Sequence, residues 1–77
     1  MNRISNMSAL NQIKRRISLS VANGENIIIT RMGEDCNDKL SLSEFSNIID
    51  GLQFIKILDN GYLLQEDCDY MIKVTIK

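Results

Sequence analysis

The 77-residue chain contains no histidine, no tryptophan and no proline, and only two cysteines. The missing histidine removes the commonest general base, the commonest metal ligand and the usual partner of a nucleophilic Ser or Cys. In so short a chain no catalytic set remains to name. The expectation is a protein that is not an enzyme and holds no cofactor. Aromatic residues are scarce, two Phe and two Tyr, so the apolar content is aliphatic, with twelve isoleucines. An Ile- and Asn-rich, Pro-free composition reflects AT-rich coding of the bacterial or phage kind and carries no chemical information. No apolar run approaches the length of a membrane span. Met1 to Ser8 lacks an apolar signal core, so no membrane association and a cytoplasmic location are expected.

Against these absences stands an ordinary globular composition, 44% hydrophobic and 25% charged, in a chain long enough for one small domain over residues 1–77. Charge nearly cancels in sum, at −1, but not in position. Residues 1–32 carry Arg3, Lys14, Arg15, Arg16 and Arg31 against Glu25 alone. Residues 33–77 carry four lysines against nine acids. Such division points to polar or nucleic-acid contacts, unless folding mixes the two halves.

Along the chain, Met7, Leu10 and Ile13 follow helical steps and predict a first helix over Asn6–Arg16. Lys14, Arg15 and Arg16 would then occupy its last turn and complement the helix dipole. Ala22-Asn23-Gly24 predicts a three-residue hairpin loop with Gly24 in the left-handed position. That register pairs Leu19 with Ile27 and Ile17 with Ile29, and places these four on one face. Ile28 faces the other way. Gly33–Lys39 reads as a polar loop. A second helix is expected over Leu42–Asp50, opened by a Ser41/Glu44 capping box and closed by Gly51. Its apolar stripe is Leu42, Phe45, Ile48, Ile49 and Leu52, with Ser43, Ser46, Asn47 and Asp50 outward. Gln53–Leu58 and Tyr62–Gln65 form a hairpin across Asp59-Asn60-Gly61. Tyr70–Lys77 alternates, with Tyr70, Ile72, Val74 and Ile76 on one face. The resulting fold class is α+β, in the order α-β-β-α-β-β-β, with an antiparallel sheet packed against two short helices.

Glu-Asp-Cys occurs twice, at Glu34-Asp35-Cys36 and Glu66-Asp67-Cys68. Both loops leave their hairpins opposite the turn, so aligned hairpins bring them close. A Cys36–Cys68 disulfide competes with loop polarity alone, and a cytoplasmic setting favours free thiols. Neighbouring carboxylates disfavour a thiolate, so neither cysteine reads as a nucleophile. Residues 33–44 superficially resemble a calcium loop, but Gly33 stands at the first ligand position and Asp38 where a glycine belongs. No metal site is assigned.

Three functional expectations follow. Foremost is a non-catalytic module that binds another protein, a regulatory or inhibitory accessory, through Glu34, Asp35, Asp38, Glu66, Asp67 and Asp69. The second is a nucleic-acid-associated regulator using Lys14, Arg15 and Arg16. The third is a cation-binding protein using the acidic loops 33–44 and 66–69.

Overall fold

In a computed structural model, which describes residues 5–77, the first helix is longer than its predicted span. Helix α1 covers Asn6–Ala22, followed by strands β1 (Ile27–Met32) and β2 (Asn37–Leu40). Helix α2 (Leu42–Ile48) runs into a 3-10 turn over Ile49–Gly51, and β3 (Gln53–Leu58), β4 (Gly61–Gln65) and β5 (Met71–Ile76) complete the chain. The architecture is α+β, in the expected order α-β-β-α-β-β-β. Arg3 and the start of the Met1–Ser8 segment lie outside the described residues.

The expected hairpin over Ile17–Ile29 does not form. Residues 17–22 continue α1, because Leu10, Ile13, Ile17 and Ser20 extend one buried stripe at three- and four-residue steps. Leu19, assigned to the core in the hairpin register, is 54% exposed. Gly24 does take a positive φ, of 76°, but it ends a helix. Glu25 N–H donates to Ser20 C=O at 2.9 Å and Gly24 N–H to Val21 C=O at 3.2 Å. That is a Schellman cap, with glycine at its left-handed position. Ile27 and Ile29 instead pair with Ile76 and Val74 of β5.

All strand pairs are antiparallel, in the order β2-β1-β5-β4-β3. The alternating β5 takes the centre, and its Ile72 and Val74 are fully buried. Gly33–Lys39, expected as loop, is a tight turn leading into the edge strand β2. The other edge, β3, is broken by a bulge between Phe54 and Lys56. A short charged edge and a bulged edge both oppose pairing with other chains.

Both helices cover one face of the sheet. Leu10, Ile13 and Ile17 of α1, Phe45 of α2, Ile49 and Leu52 pack on Ile29, Leu64, Ile72, Val74 and Ile76. The Ser41/Glu44 capping box is present as expected, with both bonds at 3.0 Å. Ser43, Ser46, Asn47 and Asp50 are exposed, while Leu42 is outside the core. Gly51 is not a left-handed cap; it closes the 3-10 turn without a positive φ. Asn6 fastens the two layers. Its Nδ2 donates to Leu52 C=O at 2.9 Å, and its Oδ1 accepts from Phe54 N–H at 2.6 Å.

Candidate acidic site at one end of the sheet

The two Glu-Asp-Cys loops are neighbours. Met32 ends β1 directly opposite Met71, which begins β5. The β1–β2 turn and the β4–β5 loop therefore leave the same end of the sheet. Gly33 makes this approach close, since a Cβ placed there would stand 2.5 Å from Cε1 of Tyr70. All six acids named from the sequence lie at this end: Glu34, Asp35 and Asp38 on one side, Glu66, Asp67 and Asp69 on the other.

Arg31 ties the two loops together. It lies on the helix-covered face of β1, in register with Asp38 of β2. Its Nε donates to Glu66 Oε1 at 2.7 Å and its Nη2 to Glu66 Oε2 at 2.9 Å. This bidentate pairing raises the guanidinium pKa above its usual value, through the Glu66 hydrogen bonds first. Arg31, Cys36, Asp38, Glu66, Asp67 and Tyr70 line an open depression.

Each acid has a separate task. Glu66 holds Arg31. Asp67 shapes its own loop, its Oδ1 accepting from the backbone N–H of Asp69 and Tyr70 at 2.8 and 3.0 Å. Asp38 accepts from the Cys36 thiol at 3.1 Å, and this hydrogen bond pushes the thiol pKa up. Glu34, Asp35 and Asp69 are exposed and make no side-chain hydrogen bond or ion pair among the described residues. They are the exposed carboxylates of this end that have no internal partner among the described residues. Both cysteines are free. Among the described residues no three Cys, Asp or Glu side chains converge to hold a metal ion.

The basic cluster is dispersed. None of Lys14, Arg15 and Arg16 is in the last turn of α1, because the helix runs on to Ala22. Lys14 Nζ meets Asp50 at 2.6 Å, and Arg16 meets Glu25 at 3.1 Å while also donating to the buried Ser20. Only Arg15 has no acidic partner among the described residues. Two of the three ion pairs among the described residues, Lys14–Asp50 and Arg31–Glu66, join the basic first part of the chain to the acidic second part. Much of the charge division in sequence is thus closed within the fold.

Sequence reasoning missed Arg31, which it counted only as one charge. Once β1 was displaced, no signal placed Arg31 beside Glu66. No described helix is long and apolar enough to cross a membrane. No protein-family description, curated protein or solved structure matches the chain.

Proposed function

We propose that this is a non-catalytic protein-binding module, a regulatory or inhibitory accessory that presents its acidic end to a basic surface on a partner. The observation that supports it is the convergence of both Glu-Asp-Cys loops at one end of the sheet. There Glu34, Asp35 and Asp69 face water while Arg31–Glu66 holds the loops in place. Fixed like charges create a local field that steers an oppositely charged surface and needs little ordering on contact. The raised thiol of Cys36 favours its protonated, unreactive form, in keeping with binding over nucleophilic chemistry. The rival use of Lys14, Arg15 and Arg16 on nucleic acid is weakened because two of those cations already have carboxylate partners.

The test reverses Glu34, Asp35 and Asp69 to lysine and leaves Glu66 in place, since Glu66 holds Arg31. Capture from the native host should retain a protein for the wild type and lose it for the reversed variant. The on-rate for that protein should fall, more so at low salt. Neutralising Lys14, Arg15 and Arg16 should leave capture intact. Salt-sensitive retention of DNA or RNA, abolished by that neutralisation, would overturn the reading.

A further inference from the structure

Both helices lie on one face, and among the described residues nothing covers the opposite face of the sheet. The strand register sorts its side chains into transverse rows. Lys56 is opposite Leu63, and Leu63 is opposite Lys73. Lys73 is opposite Thr30, and Thr30 is opposite Lys39. One row therefore crosses all five strands as Lys-Leu-Lys-Thr-Lys. With neighbouring strands about 4.8 Å apart, successive lysines stand about 10 Å apart, each separated by one uncharged residue.

The flanking rows contain no charge. Toward the acidic end run Gln65, Met71, Met32 and Asn37; toward the opposite end run Leu58, Gly61, Thr75 and Ile28. No strand position on this face carries a carboxylate. Asp59, in the β3–β4 turn, lines an open depression at the rim together with Lys56 and Lys73 but forms no ion pair with either. The aliphatic residues here are half-buried by their neighbours in the sheet, and all three lysines are exposed. Cations that form no ion pair among the described residues, set among aliphatic side chains, match a ligand that brings carboxylates and apolar groups together.

We propose that the bare sheet face docks a short acidic, partly apolar segment of another protein. Its carboxylates meet Lys39, Lys73 and Lys56, and its apolar side chains rest on Met32, Met71, Leu63 and Leu58. Methionines suit such a surface because their unbranched chains adapt to the shape laid on them. A nucleic acid fits less well. No aromatic side chain stands on this face for bases to stack on, and the row offers only three cations to a phosphate backbone. Face-to-face pairing of two copies would bring lysine rows together. This docking surface differs in place and sign from the acidic end and does not depend on it.

The test is amide-resolved NMR titration of the isotopically labelled full chain with a synthetic amphipathic peptide of glutamate and leucine. Parallel arms use its lysine–leucine counterpart, a DNA duplex and single-stranded DNA. Shifts should appear at Thr30, Lys39, Lys56, Leu63 and Lys73 with the glutamate peptide alone. Affinity should fall by about tenfold or more in the Lys39→Gln/Lys56→Gln/Lys73→Gln variant, whose unchanged spectrum away from the row certifies the fold. Shifts elsewhere, equal affinity in the glutamine variant, preference for either DNA, or concentration-dependent self-association through this face would each overturn the proposal.

Discussion

Arg31 of β1 grips Glu66, beyond the end of β4, through two parallel hydrogen bonds of 2.7 and 2.9 Å. Strand β5 separates β1 from β4 in the sheet, so this ion pair reaches across a neighbouring strand from β1 to the β4–β5 loop. Both side chains are partly shielded, at 31% and 22% exposure. The pair thus sits between the weak surface regime and the costly buried one. Its value lies in holding the acidic loops in one arrangement.

Removing either partner should therefore destabilise the protein modestly. Arg31→Met and Glu66→Gln should each lower stability by about 1 kcal/mol, and the double variant by less than the sum. Urea denaturation of the four proteins gives the coupling directly. Full additivity would show that the two side chains do not interact in solution.

Asp38 should govern the reactivity of Cys36. The thiol donates to the Asp38 carboxylate, which raises its pKa and suppresses the thiolate. In a Cys68→Ser background, Asp38→Asn should accelerate alkylation by iodoacetamide at mildly alkaline pH. An unchanged or slower rate would mean that this hydrogen bond does not persist.

Acid should loosen the start of α2. The Glu44 carboxyl is held below its usual 4.5 by the Ser41 backbone N–H and hydroxyl. A lowered folded-state pKa contributes stability that is complete above the unfolded value and lost as pH falls through the folded one. Glu25, lowered by Arg16, acts in the same direction. Thermal melts from pH 7 downward should show the Tm of wild type falling faster than that of Glu44→Gln below pH 4.5. Parallel curves would remove Glu44 from the acid response.

What could be read from the sequence was local. The Ser41/Glu44 box and the alternation of Ile72, Val74 and Ile76 each lie within one element, and each is present in the fold. Phe45 and Leu52 were placed in the core by spacing alone. Ile17-Ser18-Leu19-Ser20-Val21 misled because its alternation also satisfies a helix: Ile17 and Ser20 are three apart, and Ser20 is buried beneath Arg16. Gly24 was rightly left-handed, since a helix cap and a bulged hairpin loop make the same demand on φ. Long-range pairing was out of reach. Neither Arg31–Glu66, 35 residues apart, nor Asn6–Phe54, 48 apart, leaves a mark in local spacing. The acidic end was half legible, because the repeated tripeptide named the loops but only strand order made them neighbours. The lysine row depends on the register of β2, whose Asn37-Asp38-Lys39 carries no local strand signal.

Two glycines should fail for different reasons. At Gly24 a Cβ would meet nothing within 4 Å, so the penalty is conformational. Gly24→Ala should cost about 1–2 kcal/mol and Gly24→Asn less, since asparagine tolerates the left-handed region. At Gly61 a Cβ would collide with the backbone carbonyl of Val74. Gly61→Ala must open the β4–β5 ladder and should cost about 3 kcal/mol or more, with no relief from asparagine. Equal losses at the two sites in chemical denaturation would contradict this division.

The sharpest check on α1 compares two of its own residues. In a helix running to Ala22, Ile17 points into the core at 7% exposure while Leu19 stands in solvent at 54%. A hairpin over the same residues would bury both on one face. Ile17→Ala should cost about 2–5 kcal/mol, and Leu19→Ala should stay within about 0.5 kcal/mol of wild type, because alanine is the better helix former and little apolar area is lost. Denaturant midpoints at unchanged slope provide the comparison. A loss of several kcal/mol at Leu19, matching that at Ile17, would return residues 17–21 to a strand and displace β1 from its place beside β5.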